Sequence, residues 1–219
     1  TIMNILTGYL APTSGEVKVA GFSLPEEAQQ AKACVGYLPE QPPLYDEMTV
    51  REYLRFVAAL KGVAARAIPA HVDEVMELTG LTSMQSRLLG HLSKGFRQRA
   101  GMAQALCGDP DVLVLDEPVA GLDPQGKRDF FALLHELHRT FVKTVIFISH
   151  DMDDVAEHAT KVAVFDRGEI FRVGTPRELF SEIPDELLRL GLDLPATGRL
   201  KRDLARAGVK IDTDFTAED

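Results

Sequence analysis

Cysteines and long apolar runs are scarce in this sequence, and each absence excludes a class of protein. The 219 residues contain two cysteines, Cys34 and Cys107, which lie far apart and show no metal-ligand spacing. We therefore expect two reduced structural thiols in a cytoplasmic protein. No apolar run approaches the ~18–20 residues needed to span a bilayer, and the N-terminus has no secretory pattern. Any role at a membrane must therefore come through a partner.

Basic charge is also in short supply. Lys and Arg total 24 against 33 Asp and Glu, which gives a formal net charge of -9. This balance argues against a nucleic-acid partner held by bulk electrostatics. A chain of this length can bury one sizeable core with an appended subdomain.

Strand and helix patterns alternate along the chain. Strands are predicted at 16–21, 34–38, 112–115, 144–149 and 161–166, and helices at 2–10, 25–32, 49–61, 68–79, 95–106 and 125–140. This alternation predicts an α/β fold with a mainly parallel sheet, plus a small antiparallel part near residues 15–22. The strand-free stretch predicts an inserted helical subdomain at about 49–107. Thr49 and Glu52 form the pattern of a capping box at its start.

Four short motifs occur in an informative order and spacing. They are Leu92-Ser93-Lys94-Gly95-Phe96-Arg97-Gln98-Arg99, Val112-Leu113-Val114-Leu115-Asp116-Glu117, Gly121-Leu122-Asp123 and Ser149-His150. A buried strand ending in Asp116 and Glu117 places one carboxylate near Mg²⁺ and a second near an attacking water. Ser93 offers a hydroxyl to a phosphate and is equally suited to cap a helix. His150 closes an apolar strand, whereas the other five histidines are expected to be solvated.

These motifs resemble those of the ATP-binding cassette (ABC) family, a P-loop NTPase-like class of ATPases. The resemblance runs from Thr1 to about residue 180 and implies an α/β cassette that binds ATP and Mg²⁺. It implies that Glu117 acts on the attacking water, that His150 contacts the γ-phosphate and that Asp116 holds Mg²⁺ through water. The remaining nucleotide contacts that it implies are Ser93, Lys94 and Gly95 of the signature motif, Asp123 of the D-loop, and Thr1 near the α-phosphate.

The sequence departs from the family pattern in three places. Lys94 stands where the signature motif usually has Gly. The phosphate-binding loop, G-x-x-G-x-G-K-[ST], occurs nowhere in the chain, and the family pattern puts it immediately before Thr1. We therefore expect a fragment that does not hydrolyse ATP by itself. The glutamine that reaches Mg²⁺ in the family aligns with Glu40, and Gln41 follows it. Either side chain can supply an oxygen ligand, and a solvated loop pair is the alternative.

Different parts of the chain resemble two branches of the family. Residues 37–45 and 92–99 look like ATPases of multidrug and gliding-motility exporters. Residues 149–156, 174–180 and 190–195 look like energy-coupling-factor ATPases of vitamin and metal-ion importers. A mosaic gene, an assembly artefact or a divergent branch would each produce this pattern, so the direction of transport stays open.

The resemblance also implies partners and a location. A cassette at residues 1–180, followed by a helical tail at 181–219, would drive a transmembrane permease from the cytoplasmic face of the cell membrane. Two copies or paralogues would pack head to tail, each sandwiching ATP between its own Walker motifs and the other's signature motif. The permease would dock at the 39–48 loop and the helix after it, including Tyr45 and Tyr53. The alternatives are a soluble ABC ATPase acting on nucleic acid or ribosomes, and a truncated cassette without catalytic activity.

Overall fold

The computed structural model describes residues 2–209 together with residues 211 and 215. The chain divides into two compact units, the first ending at Ile148 and the second beginning at Ser149. The first unit holds β1 (Val17–Val19), β2 (Phe22–Leu24), β3 (Val35–Leu38), β4 (Val112–Asp116), β5 (Thr144–Ile148), α1 (Ile2–Leu6), α2 (Ala28–Ala33), α3 (Val50–Leu60), α4 (Ile68–Leu78), α5 (Lys94–Leu106) and α6 (Pro124–Thr140). The second holds α7 (Met152–His158), β6 (Val162–Asp166), β7 (Glu169–Gly174), α8 (Pro176–Glu182), α9 (Pro184–Arg189) and α10 (Ala196–Arg206).

Three strands of the first unit form a parallel sheet in the order β3-β4-β5. The register pairs Leu38 with Leu115 and Asp116 with Ile148, so all three strands end at the same edge. The central strand is apolar on both faces and its middle residues are fully buried, as expected for a parallel strand covered on both sides. The α/β fold with a mainly parallel core, predicted from the alternating pattern, is confirmed.

The antiparallel part is a small hairpin of β1 and β2. Its turn is Ala20-Gly21, where both residues have positive φ, 51° and 89°. Such a turn matches the right-handed twist of the flanking strands. The predicted strand over 16–21 was therefore too long, because its last two residues form the turn.

Helices α3, α4 and α5 follow β3 and precede β4 along the chain, and they pack together. Among the described residues, no strand lies between Val50 and Leu106. Leu54, Met76 and Leu106 are fully buried in their shared core. Helix α5 also lies directly on β3, since Gly36 leaves no room for a side chain between the strand and Ala105. This close contact joins the helical segment to the sheet. The inserted helical segment is as predicted.

The second unit contains a two-stranded antiparallel sheet of β6 and β7. Sequence reasoning missed β7 and expected the preceding strand in the parallel sheet. The turn Arg167-Gly168 has positive φ at both residues, which is the backbone of a tight hairpin. In the described part of the chain, no helix is both long enough and apolar enough to cross a membrane.

Two further expectations were wrong. The predicted helix over 2–10 ends at Leu6, because Gly8 adopts φ 73° just after it, a common way to terminate a helix. His71 is buried rather than solvated, and its Nε2 accepts a hydrogen bond from the Gly108 backbone N–H at 3.1 Å.

Candidate functional site

The edge where the parallel strands end collects the predicted carboxylates. Asp116 is the last residue of β4 and is half-buried, and Glu117 follows it. Leu38 ends β3 opposite Leu115, so the chain leaves the sheet towards Glu40 and Gln41 at this same edge. The carboxyl ends of parallel strands are where ligands bind in open α/β sheets. The sheet therefore gives Asp116 and Glu117 a rigid, shared position.

Glu117 has an unusual backbone. Its φ is 45°, in the left-handed region that costs a residue with a Cβ about 1–2 kcal/mol. Its N–H donates to Ile148 O at 3.1 Å, and its carbonyl accepts from the Ala120 N–H at 3.1 Å. The strained conformation is thus held from both sides. Such strain is concentrated at functional sites, and nothing in the sequence pattern indicated it.

Tyr37 belongs to the same neighbourhood, although sequence reasoning did not single it out for the site. It pairs with Val114, two residues before Asp116, on the neighbouring strand. Burial raises the pKa of Tyr37 above its usual value, and electrostatic interactions, first with Asp116 and then with Tyr9, raise it further. Its hydroxyl therefore stays protonated beside the Asp116 carboxylate. The signal that could have found it is the strand register, since residues two apart share a face.

The signature motif lies at the start of α5. Ser93 is the N-cap residue, exposed and extended, and its side chain makes no capping hydrogen bond. The first turn of α5 contains no acidic residue, and Lys94 occupies its first position. A helix N-terminus carries a partial positive charge and unpaired N–H groups, so a lysine there adds to an already positive end. This arrangement attracts an anion such as phosphate.

The signature motif and the D-loop touch within the same chain. Gly121 adopts φ 66°, and a side chain added there would overlap the Lys94 ammonium group. Asp123 caps α6, accepting a hydrogen bond from the Gly126 N–H at 2.6 Å. The carboxylate of Asp123 therefore has a structural partner in this conformation. Its role towards a nucleotide stays a prediction.

The remaining predicted residues are His150, Thr1, Glu40 and Gln41. His150 belongs to the second unit, where it follows Ser149 and precedes α7. Ser149 Oγ accepts a hydrogen bond from the Asp151 N–H at 3.0 Å, which orders the turn around His150. Thr1 lies outside the described residues. Glu40 and Gln41 are both exposed, so both side chains can reach a ligand in solvent.

The donor chemistry of the edge fits Mg²⁺ bound together with a phosphate. Asp116, Glu117, Glu40 and Gln41 offer only oxygen ligands, which Mg²⁺ prefers. Across residues 2–209, 211 and 215, no three His, Cys, Asp or Glu side chains converge into a metal cage. Mg²⁺ usually takes one or two carboxylates and completes its shell with water and substrate phosphates. The residues present therefore suit a metal ion that arrives with a nucleotide.

Adjacent carboxylates at the carboxyl ends of a parallel sheet, together with a helix N-terminus that can bind phosphate, are typical of a nucleotide-binding domain. Residues 1–120 match the family model described as ABC transporter. The chain belongs to the ABC transporter family and carries its ATP-binding domain. Its α/β architecture is the cassette fold of that family.

Relatives and a solved structure agree with this assignment. The chain is 36% identical over 223 residues to the energy-coupling factor transporter ATP-binding protein EcfA of Methanoculleus marisnigri, covering 100% of this chain and 79% of the relative. It is 35% identical over 179 residues to the uncharacterized ABC transporter ATP-binding protein YxlF of Bacillus subtilis, covering 82% of this chain and 58% of the relative. The structure of cbiO1 from Clostridium perfringens, part of the ABC transporter complex cbiONQ, matches with a TM-score of 0.76 and 28% identity, over 92% of this chain and 81% of that one.

Proposed function

We propose that this chain is the ATP-hydrolysing part of a subunit that drives an ABC membrane transporter. The observation that carries the proposal is the parallel register of β3 and β4, which brings the 39–48 loop to the edge that holds Asp116 and Glu117. Family membership supplies ATP as the nucleotide. The match to EcfA favours a transporter of the energy-coupling-factor kind, and the match to cbiO1 favours a subunit of an ABC transporter complex.

The chemistry assigned to the strand ends is phosphoryl transfer to water. Glu117 orients the attacking water and accepts its proton, and Asp116 would hold Mg²⁺ through a water. Mg²⁺, when bound, neutralises charge on the β- and γ-phosphates. Glu40 or Gln41 contributes a further oxygen ligand from the 39–48 loop. For His150, the resemblance to the family implies a contact with the γ-phosphate.

The composite site needs a second copy or a paralogue. Ser93, Lys94 and Gly95 form an exposed or half-exposed helix end whose capping role is left unfilled. We assign this end to the γ-phosphate of ATP bound by the other subunit in a head-to-tail dimer. The observation in favour is the positive character of the α5 N-terminus.

The permease contact is assigned to an exposed aromatic patch. Tyr45 is 54% exposed, and its ring packs edge-on against Tyr53 and in a tilted arrangement against Phe56, with centroid distances of 5.8 Å and 5.6 Å. Tyr53 is buried beneath it and donates its hydroxyl hydrogen bond to Gln104. A supported aromatic side chain at the surface suits an apolar helix docked in a groove. The subunit would then lie at the cytoplasmic face of the membrane through its permease.

The domain assignment and the activity of the chain by itself complete the proposal. We assign the cassette to residues 1–180, with its helical subdomain at about 49–107, and a helical tail to residues 181–219. The 219 residues contain no G-x-x-G-x-G-K-[ST] run. Without that backbone cradle and its lysine, residues 1–219 alone should bind Mg-ATP only at millimolar concentration. Calorimetry that finds micromolar binding would contradict this part.

The function is tested in the full-length protein purified with its membrane partner. Tyr45→Ala should abolish transport while ATPase activity of the detergent-solubilised subunit stays close to the wild-type value. The matched control is Phe171→Ala, which removes another half-exposed aromatic ring from β7, far along the sequence from the 39–48 loop. It should leave both activities unchanged. A fall of transport and ATPase together in Tyr45→Ala would place the ring in the fold or the catalytic site instead.

A further inference from the structure

Two short segments pair through their backbones and connect the 39–48 loop to the segment that leads into the signature motif; we call this pairing the ribbon. Residues 46–51 run beside residues 85–90, and Thr49 and Leu88 form an antiparallel bridge. The backbone bonds that join them run from Leu89 N to Met48 O at 2.9 Å, Gly90 N to Asp46 O at 3.1 Å, Val50 N to Arg87 O at 3.1 Å and Arg51 N to Gln85 O at 3.0 Å. Paired backbones resist bending more than an open loop does. We therefore expect the 39–48 loop and residues 85–90, which lead to Ser93, to move together.

Arg97 closes this ribbon onto helix α5. Its Nη1 donates to Asp46 Oδ1 at 2.6 Å and to Leu89 O at 2.9 Å. Arg97 is also in the first turn of α5, since its backbone N–H donates to Ser93 O at 2.9 Å. The Arg97 guanidinium thus contacts the 39–48 loop and the ribbon, while its backbone belongs to the turn that carries the signature residues.

The contact is tight on its other side as well. A Cβ added to Gly90 would lie 3.0 Å from the Asp46 Cβ and 3.2 Å from its backbone oxygen. Gly90 therefore lets the ribbon approach Asp46 closely enough for Arg97 to reach it. We name the arrangement of Asp46, Gly90 and Arg97 the loop clamp.

We propose that Arg97 is a positioning residue that transmits movement of the 39–48 loop to Ser93, Lys94 and Gly95. This rests on the proposed function, in which the loop contacts the permease and the signature residues contact the other subunit's ATP. A permease that shifts the loop would pull the ribbon, and through Arg97 it would turn the start of α5. Misplacement of a positioning group by about 1 Å can cost on the order of 100-fold in rate, so a small rotation is enough to gate hydrolysis.

The chain offers an ion pair of similar exposure that does not involve α5. Arg51 lies in the ribbon, where its Nε donates to Gln85 Oε1 at 2.9 Å, but its ionic partner Asp73 belongs to α4. Arg51 Nη2 lies 2.7 Å from Asp73 Oδ1, with the two side chains 33% and 58% exposed. The Arg97 and Asp46 side chains are similar, at 31% and 61%. Pairs this exposed add little to stability, so both should be equally dispensable for the fold. If breaking the Arg97–Asp46 pair lowers hydrolysis and breaking the Arg51–Asp73 pair does not, the loss comes from the position of the first pair and not from reduced stability.

The test uses the full-length protein with its membrane partner and the variants Arg97→Gln, Asp46→Asn, their double variant and Asp73→Asn. Arg97→Gln should lower kcat of partner-stimulated hydrolysis about tenfold, with KM for ATP and the melting temperature near wild-type values. Asp46→Asn should lower kcat in the same direction, and the double variant should lose no more than Arg97→Gln, because both changes break one contact. Asp73→Asn should match the wild type.

Hydrogen exchange on residues 1–219 tests the loop clamp without ATP. Arg97→Gln should speed exchange of the Leu89 and Gly90 amides severalfold and leave the amides of α4 unchanged. Additive kcat losses, a loss matched by Asp73→Asn, or unchanged exchange at Leu89 and Gly90 would each overturn the inference. A wild type without any partner-stimulated hydrolysis would contradict the proposed function instead, and the exchange result then decides the clamp by itself.

Discussion

Helices α3 and α5 begin in nearly the same way but use their first residues differently. Thr49 has φ −70° and ψ 159°, and Ser93 has φ −63° and ψ 162°. Thr49 completes a capping box: its Oγ1 accepts the Glu52 N–H at 3.3 Å, and its own N–H donates to Glu52 Oε2 at 2.9 Å. The Thr49 hydroxyl also donates to Glu52 Oε2 at 2.7 Å. The two bonds that the carboxylate accepts, first from the Thr49 backbone N–H and then from its hydroxyl, lower the pKa of the Glu52 carboxyl.

Ser93 has the same capping ability and does not use it. Its side chain makes no capping bond, the position three residues on, where α3 has Glu52, is Phe96, and the first turn of α5 holds Lys94 and no acidic residue. One helix start is thus internally satisfied, and the other keeps its positive end available. The comparison teaches that a hydroxyl at an N-cap is structural or functional according to its neighbours, not its residue type.

The largest expected effect on ATP hydrolysis comes from Glu117 at the strand edge and not from either helix start. In the full-length protein, Glu117→Gln should lower ATP hydrolysis by about 1,000-fold or more, because it removes the group that orients water and accepts its proton. ATP binding should persist, since the amide keeps the size and hydrogen bonding of the side chain. Steady-state hydrolysis and nucleotide binding measured on the same preparation check this. Hydrolysis near the wild-type rate would refute the role of Glu117.

Ser93→Ala should give the next largest effect. We expect hydrolysis to fall by about tenfold to 100-fold, because the proposed dimer places this hydroxyl against phosphate, while the melting temperature stays within about one degree. The melting temperature should hold because the serine side chain caps nothing in this conformation. If Ser93→Ala lowers the free energy of unfolding by about 1 kcal/mol, the usual cost of a lost N-cap, then Ser93 has the same structural role as Thr49 and the proposed difference between the two helix starts is wrong.

Thr49→Ala is the converse variant. It should cost about 1 kcal/mol in the free energy of unfolding, the usual value for a lost N-cap, and leave hydrolysis within twofold of wild type. Urea unfolding and steady-state hydrolysis measure the two effects. A large loss of activity without loss of stability would reverse the assignment of the two helix starts.

The smallest expected effect concerns the other end of α5. Burial raises the pKa of the Cys107 thiol to about 12, although the nearby Lys61 lowers it in part. The folded chain therefore keeps this thiol neutral over a pH range in which the unfolded chain ionises it. Its stabilising contribution is complete below about pH 9 and is lost progressively as the pH rises towards 12, by about 1 kcal/mol at pH 10. Urea unfolding at pH 8 and pH 10 should show a smaller pH effect in Cys107→Ala. An unchanged pH dependence would contradict the buried, neutral thiol.

Much of the fold could be predicted because its signals are local. The apolar run of β4, the capping box of Thr49 and the alternation of strands and helices are all visible within a few residues. The errors concern single turns. The end of α1 was placed too late because Gly8 terminates the helix, and β7 was missed because Arg167-Gly168 folds it back on β6. Both are glycine-dependent turns that a closer look at turn chemistry would have found.

The site was predictable only in part. Asp116 and Glu117 follow from the strand that carries them, but the positive φ of Glu117 depends on a hydrogen bond to Ile148 in another strand. The contact of Arg97 with Asp46 joins residues 51 positions apart and has no periodic signature. Long-range contacts between side chains on different elements are set by packing, which a single sequence does not display.

The most direct test of the central claim is ATP-dependent dimerisation of the full-length protein, followed by light scattering. Glu117→Gln should dimerise when ATP is added, because the nucleotide stays in place between the two subunits. Adding Ser93→Arg to that variant should abolish the dimer, since a bulky side chain would block the α5 helix end, whereas adding Thr49→Ala should preserve it. A dimer that persists with Ser93→Arg, or one that disappears with Thr49→Ala, would contradict the claim that α5 and not α3 presents its N-terminus to the other subunit's ATP.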